Sequence, residues 1–381
     1  MRVLYVAIDQ TVPGPLGGSV HVQAVASGLA RRGHELHVAT TPGGPWPAGE
    51  AIWHAMSPPF GRKQLRWLRA GAVASLARRV HADVIVERYY NFGGEGVGAA
   101  RRLGVPAVLE INAPVVDYPG STKSRVDRAL LVEPMRRWRD RICRLTSLFV
   151  TPTIDILPRW VDRARVLEAE WGADVDTFRP DVEPAAGFPR DRSRIWCVFA
   201  GAFRSWHGAV HLVAALARLH ETGEHRFGAV LIGDGPERAA AERAARGVPG
   251  VVFTGAVPHA EMPGWLVAAD IGVAPFDHLR HAPLRLGFYW SPLKIFEYMA
   301  SGLPVVAPAL PRLGRLVGHR REGWLYDPAD PRALDRAIVA LGDAALRERM
   351  GGAARARVAS DFSWDAHCRA LDARLRALVA A

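Results

Sequence analysis

Short runs of β-branched and aliphatic residues alternate with amphipathic stretches along nearly the whole chain. The run RVLYVAID is followed by a Gly-rich loop and a helical pattern from Ser19 to Arg32, which Gly33 stops; ELHVAT then reads as a second strand. DVIVE, PAVLEIN and LFVTPT are further continuous apolar runs, the pattern of strands buried on both faces. Helical stretches between them make the βαβ arrangement of a parallel sheet. The periodicity pauses after Phe178, in a stretch rich in Pro, Asp and Arg, which predicts an interdomain linker over 181–194. Alternation restarts with IWCVFAG, a helix from Ala209, FGAVLIGDG, a helix from Pro236, VVFTG and DIGVAPF. The pattern therefore predicts two doubly wound α/β domains, residues 1–180 and 195–358. A C-terminal helix over 359–381 is expected to pack back on the first. In such sheets ligands sit at the carboxyl ends of the strands, so the site is expected in a cleft between the domains.

Length agrees with two domains, since the chain has 381 residues. Apolar residues at 49% and charged residues at 23% exclude a disordered chain. Cys143, Cys197 and Cys368 are too few for a disulfide framework and too scattered for a zinc site, and they fit a reducing compartment. The net charge of +11 points to an acidic partner: anionic lipid, nucleic acid or a phosphorylated substrate. No segment has the roughly 20 apolar residues needed to span a bilayer, and MRVLYVAIDQ reads as a first strand rather than a secretion signal. A cytoplasmic protein is expected, with peripheral membrane contact as the use of any basic surface. Two stretches offer such a surface. Gly61–Arg79 reads as an amphipathic helix with the stripe Leu65, Leu68, Ala72 and Leu76 beside Arg62, Arg66 and Arg69. Met135–Arg144 carries five arginines around Trp138. The same stripe also suits a helix packed on a sheet with its arginines in solvent.

Three stretches carry candidate chemistry. In SPLKIFEYMASG, Ser291 suits an N-cap, Pro292 the first helical position and Gly302 the residue after the helix. Lys294 then falls in the first turn, where the helix dipole disfavours a cation unless an anion is also bound. Glu297 lies about one turn further on the same face, placed to accept hydrogen bonds from sugar hydroxyls beside that anion. The same spacing also suits a surface Lys–Glu pair. Gly17-Gly18-Ser19 opens the first helix directly after the first strand. It suits close approach of a ligand, with Ser19 as cap, and it equally suits a tight turn. GAFRSWHG places Arg204 and His207 after the first strand of the second half, with Arg204 able to grip a diphosphate. G-x-G-x-x-G, Walker A, H-E-x-x-H and G-x-S-x-G patterns are missing, which argues against nicotinamide enzymes, P-loop ATPases, zincins and α/β-hydrolases.

Taken together, the chain resembles the glycosyltransferases of family 4, retaining nucleotide-sugar enzymes of GT-B fold, with two Rossmann-like domains facing across a cleft. The resemblance rests on GGSVHVQAVASGLARRGHELHVAT, WGADVDTFRP, FRSWHG, IGDGPE, VVFTGAVP, ADIGVAPF and SPLKIFEYMASGLPVVA, in the family's order. It implies that Glu297 binds the ribose hydroxyls and that backbone N–H groups at Ser291, Pro292, Leu293 and Lys294 surround the diphosphate. It places Arg204 and His207 where the family has diphosphate-binding cations, and Gly17, Gly18 and Ser19 where the first domain closes on the phosphates. Gly233 of IGDGPE, with Gly255 and Val257, falls in the donor-binding stretches. Asn112, in LEINAPVVD, stands near the family's catalytic His position. The implied catalytic set is Arg204, Lys294, Glu297 and Asn112.

The departures from the family are specific. Tyr289 replaces the first glutamate of Glu-x7-Glu. Pro292 stands where many members have Gly, and His207 where Lys is usual. The resemblance implies transfer of a sugar from a UDP- or GDP-sugar to an acceptor hydroxyl with retention, without cofactor or metal. A glycan, a lipid-linked molecule or a small molecule is the acceptor class. A nucleotide-sugar 2-epimerase on the same fold, or a non-catalytic nucleotide-sugar binder, is the alternative. Nucleic-acid binding rests on charge alone, with no recognisable module.

Overall fold

The structure is a computed structural model. It describes residues 1–14, 17–116, 121–130, 133–281, 284 and 287–380, with the backbone alone at residues 122 and 123. The chain forms two compact units. The first comprises Met1–Trp171, Tyr289–Ser291 and Trp364–Ala381; the second comprises Gly172–Phe288 and Pro292–Ser363.

The first unit is built on a seven-stranded parallel sheet. Its strands are β1 (Arg2–Val12), β2 (Glu35–Pro42), β3 (Ile52–Ala55), β4 (Val84–Arg88), β5 (Ala107–Glu110), β6 (Leu148–Thr151) and β7 (Val166–Glu168), in the order β3-β2-β1-β4-β5-β6-β7. Val3 to Ile8 of β1 and all of β4, β5 and β6 are buried, as continuous apolar strands covered on both faces should be. The first helix runs Gly17–Ala30. The helix Trp364–Ala380 packs on it closely enough that a Cβ on Gly28 would collide with the Cys368 side chain. Arg32 donates to Asp365 at 2.6 Å and His34 Nε2 lies 2.7 Å from Asp372 along the same seam.

The second unit holds a six-stranded parallel sheet. Its strands are β8 (Ile195–Ala200), β9 (Phe227–Ile232), β10 (Val251–Gly255), β11 (Ile271–Val273), β12 (Val305–Pro308) and β13 (Gly323–Tyr326), in the order β10-β9-β8-β11-β12-β13. Its core joins Phe199, Leu216, Leu231 and Val273 to Ile338 and Met350 of the covering helices.

Three local expectations change. Residues 181–194 belong to the second unit rather than standing apart: Ala185 N–H donates to Gly264 O at 2.9 Å, and the Phe188 ring lies 5.9 Å from Trp196 and 6.1 Å from Trp265. A stretch without periodicity can still be tied down by aromatic packing. The division at the C-terminus falls a few residues later than expected: the helix Ala344–Asp361 runs past residue 358 in the second unit, and the helix Trp364–Ala380 lies in the first. The amphipathic helix expected over 61–79 is a 3-10 segment, Lys63–Arg69, followed by an α-helix, Ala70–Arg79. Val73, Ala74, Leu76 and Ala77 are the face it buries, while Leu68 and Ala72 are exposed. The reason is Arg66. It is fully buried, with Nε donating to Glu95 at 2.6 Å and Nη1 to Asp9, and this electrostatic anchor fixes the rotation of the segment.

Candidate functional site

In the second unit the carboxyl ends of β8, β9 and β10 are made almost of backbone. Gly201 N–H donates to Ile232 O at 2.9 Å, and Gly233 N–H donates to Gly255 O at 2.7 Å. Gly233 has φ +127°, and a Cβ there would fall 2.1 Å from Gly201 O, so only glycine fits. Gly255 also has a positive φ, of +77°, and Val257 follows it half-buried.

The helix Leu293–Ala300 begins beside this floor. Pro292, not Ser291, is its N-cap residue, and no side chain caps it. The first N–H groups of a helix have no partner within it, so this end offers bare donors at Leu293 and Lys294. Ser291 has other duties in the first unit: its Oγ donates to Glu170 at 2.6 Å and accepts from Trp171 N–H at 3.0 Å. A long-range carboxylate outcompetes the local cap. Tyr289, buried and 5.0 Å ring to ring from Trp290, also belongs to the first unit.

Lys294 is the electrostatic centre of this region. Its ammonium is buried and finds no hydrogen-bond acceptor among the described residues. It lies 4.1 Å from the centroid of Phe199 and 5.4 Å from that of Phe276. A Cβ on Gly201 would sit 3.2 Å from Nζ. Burial lowers its pKa to about 7, against a smaller opposing pull from Glu297. A buried cation facing aromatic rings and a bare glycine is chemically suited to an anion.

Around it stand the other candidates. Glu297 is mostly buried, and His259 Nε2 lies 3.3 Å from its Oε1. That contact raises the His259 pKa. Arg204 is exposed, with its guanidinium 5.9 Å from the Trp206 ring. His207 is not a cation here. Its Nδ1 pairs with Ala202 O, so Nδ1 carries the proton, while burial and then the charge of Lys294 lower its pKa to about 3. The structure thus brings Gly201, Gly233, Gly255, Arg204, His207, Lys294 and Glu297 to one end of one sheet. Phe199, His259 and Tyr298, whose Oη accepts Ala200 N–H at 2.7 Å, join them without a sequence signal.

The first unit gathers a second polar cluster at the carboxyl ends of β1, β4 and β5. Gly17 and Gly18 open the first helix, so Ser19 is already inside it and is no N-cap; its Oγ accepts from Gln23 Nε2 at 3.1 Å. Glu110 is the hub. Tyr5 Oη donates to it at 2.6 Å and Arg88 Nη1 at 2.8 Å, Asn112 Nδ2 donates as well, and His21 Nε2 lies 2.7 Å away. Burial alone would raise the Glu110 pKa, but His21, Arg88 and Tyr5 outweigh it and hold the carboxyl well below its ordinary range. Burial lowers His21 to about 4, so near neutral pH it is an uncharged donor to an ionised Glu110. Asn112 also accepts Trp171 Nε1–H at 2.7 Å, so both ends of its amide are committed to the protein. Among the described residues, no three His, Cys, Asp or Glu side chains are grouped as metal ligands would be. No helix among them is long and apolar enough to cross a membrane.

Two parallel-sheet units, each with polar groups at the carboxyl ends of its strands, are the architecture of the GT-B glycosyltransferases. The model of Glycosyltransferase Family 4 matches residues 16–171, and that of Glycosyl transferases group 1 matches residues 194–343. The chain therefore belongs to the glycosyltransferases of family 4, enzymes that transfer sugars. It is 28% identical over 400 residues to D-inositol 3-phosphate glycosyltransferase of Xylanimonas cellulosilytica, covering 94% of this chain and 91% of that protein. It is 26% identical over 395 residues to GDP-mannose-dependent alpha-mannosyltransferase of Mycolicibacterium smegmatis, covering 97% and 95%. In fold it is similar to sucrose-phosphate synthase from Thermosynechococcus elongatus, with a TM-score of 0.72 at 20% identity over 100% of this chain and 99% of that one.

Proposed function

We propose that this glycosyltransferase moves a sugar from a UDP- or GDP-sugar to an acceptor hydroxyl with retention of configuration and without a metal. The observation that carries this reading is Lys294, a buried ammonium with no acceptor among the described residues, at an uncapped helix start beside glycine backbone. In the proposed reaction the bond from the anomeric carbon to the phosphate oxygen breaks, and its electron pair stays on the diphosphate. The acceptor oxygen bonds to that carbon from the same face and passes its proton to the departing phosphate. Lys294, Arg204 and the helix N–H groups oppose the growing negative charge. Glu297 accepts the ribose hydroxyls, and Gly233, Gly255 and Val257 leave backbone open to the base. The mannosyltransferase relative, named for GDP-mannose, and the relative named for an inositol phosphate support a nucleotide-sugar donor and a small polyol acceptor.

A thermal-shift panel of UDP-, GDP-, ADP- and dTDP-sugars tests the reading. One nucleotide series at 100 times its dissociation constant should stabilise the wild type by roughly 2.7 kcal/mol, and Glu297→Ala should lose that gain. A wild type that no nucleotide sugar stabilises would overturn the reading.

Peripheral contact with anionic membrane remains part of the proposal. Phe60, Trp67 and Leu68 are exposed large apolar side chains next to exposed Arg62 and Lys63. Sedimentation with phosphatidylglycerol vesicles, weakened by Trp67→Ala and by salt, is expected; equal sedimentation with uncharged vesicles would contradict it.

A further inference from the structure

The second unit opens with a turn that is fixed from both sides. Asp174 Oδ1 accepts the N–H groups of Asp176 and Thr177, each at 3.1 Å, and Oδ2 accepts Thr177 Oγ1–H at 2.8 Å. A carboxylate that bonds the backbone just ahead of it holds a turn without help from a helix or strand. Phe178 N–H closes the turn by donating to Asp174 O at 2.8 Å. Arg355 then ties it to the helix Leu293–Ala300. Its Nη2 donates to Val175 O at 2.8 Å, while Nη1 donates to Phe178 O at 2.7 Å and to Ala300 O at 2.9 Å. A planar guanidinium that reaches three carbonyls leaves the turn little freedom relative to that helix.

The turn thereby fixes the Phe178 ring, which is buried. His259, in the loop after β10, meets that ring edge to face, with centroids 5.4 Å apart and planes at 64°. The contact sets the plane of the imidazole, and in that plane Nε2 lies 3.3 Å from Glu297 Oε1, 38 residues on in the chain. A carboxylate only accepts, so Nε2 carries the proton. The distance is long for a hydrogen bond, so the contact steers the carboxylate without consuming it. The His259 side chain is 48% exposed, too open to serve the core, and Glu297 Oε2 accepts no hydrogen bond from a described residue. The carboxylate is thus held by one oxygen and open at the other. Pinning one oxygen removes torsional freedom that Glu297 would otherwise lose on binding. It also sets a donor against a charge that would repel an anion bound at Lys294. A fixed carboxylate with free lone pairs matches two hydroxyls on adjacent carbons.

We propose that His259 is the positioning residue of Glu297, and that the pair makes the second unit select a ribose with both hydroxyls over a 2′-deoxyribose. The turn at Asp174–Phe178 and Arg355 act on Glu297 through His259. The proposal rests on the sugar-transfer reading above, which gives Glu297 the ribose.

The test uses the full chain as wild type, His259→Leu and His259→Gln. Leucine keeps the contact with Phe178 and removes the donor, while the glutamine amide restores a donor at the reach of Nε2. Titration calorimetry measures UDP, GDP and the 2′-deoxy form of each, with unliganded melting curves as the folding control. Wild type is expected to bind one ribonucleotide about tenfold or more tighter than its 2′-deoxy form, the scale of one charge-assisted hydrogen bond. His259→Leu should cut that preference to about threefold or less, by weakening the ribonucleotide at an unchanged melting temperature. His259→Gln should recover part of it. A His259→Leu protein that keeps the wild-type preference, or that weakens both forms equally, overturns the proposal and leaves the donor reading standing. Failure of both variants to fold also overturns it, since His259 would then be structural. A wild type that binds nucleotides without distinguishing the 2′-deoxy forms ends the proposal as well, because Glu297 would then have another partner. A wild type that binds no nucleotide strikes the donor reading and this proposal with it.

Discussion

Lys294→Met should abolish binding of the nucleotide sugar and at the same time raise the melting temperature of the protein. The two effects have one cause. The Lys294 ammonium is buried without a hydrogen-bond acceptor among the described residues, and burial lowers its pKa from 10.5 to about 7. At about 1.4 kcal/mol per unit, keeping that charge near neutral pH costs the empty protein on the order of 4 kcal/mol. Methionine fills the same space, retains the contact with Phe199 and removes the cost. Several degrees of stabilisation are expected, read by calorimetry in the second unit's transition. The unfolded chain binds more protons than the folded one between pH 7 and 10.5, so wild-type stability should rise across that window. The gap between variant and wild type should therefore close toward pH 10. An equal gap at pH 7 and pH 10, or a less stable variant, would show that Lys294 is an ordinary structural residue.

The same titration has a signature in binding. A nucleotide sugar carries no ionisable phosphate proton near neutrality, so any pH dependence comes from the protein. Glu297 is the acidic group acting on Lys294, while Arg204 and Lys294 itself disfavour a charge on neighbouring His207. Bound diphosphate favours the charged ammonium. Affinity should be flat below pH 7 and weaken by up to about tenfold per unit above it, with about one proton taken up on binding at pH 8. Calorimetry in buffers of different ionisation heat measures that proton directly.

Lys294 and Glu297 were legible because their oddity is local. A cation in the first turn of a helix contradicts the dipole, and the turn spacing pairs it with a carboxylate. The strands were legible for the same reason, each a short run with its own composition. Glu110 carries no local signal of its role, because its partners lie far away in sequence: Tyr5 is 105 residues distant and Arg88 is 22. Charged residues at the ends of otherwise apolar β4 and β5 were the available signal, since a charge in a fully buried strand must be paired. Ser291 misled because its local context favours a cap, whereas Glu170, 121 residues away, takes its hydroxyl. Arg66 misled in the other direction. Helical spacing put it on a solvated face, and three distant carboxylates drew it inside.

Arg66→Met should destabilise the first unit by about 3–5 kcal/mol, the cost of leaving buried carboxylates without their cation. Arg66 is fully enclosed, and its partners Asp9, Glu87 and Glu95 are 7%, 1% and 0% exposed. Burial and then the repulsion of Glu95 already push the Glu87 pKa well above its ordinary value, although Glu87 accepts N–H bonds from Gly94, Gly96 and Val97 at the start of the next helix. Without Arg66 the three carboxyls can only hold protons or expose themselves to water. The Glu87 pKa, already raised and lowered only by Arg66 and its N–H bonds, then rises further above the unfolded value, so the variant should lose stability as pH climbs through and above the ordinary carboxylate range. Its deficit against wild type should narrow toward pH 4. Glu95→Gln in the same chain should restore part of the loss near neutrality, because it removes one uncompensated charge. Equal melting temperatures for Arg66→Met and wild type at pH 7 would place the cluster in contact with solvent. A deficit unchanged between pH 4 and pH 7 would assign it to packing rather than to charge.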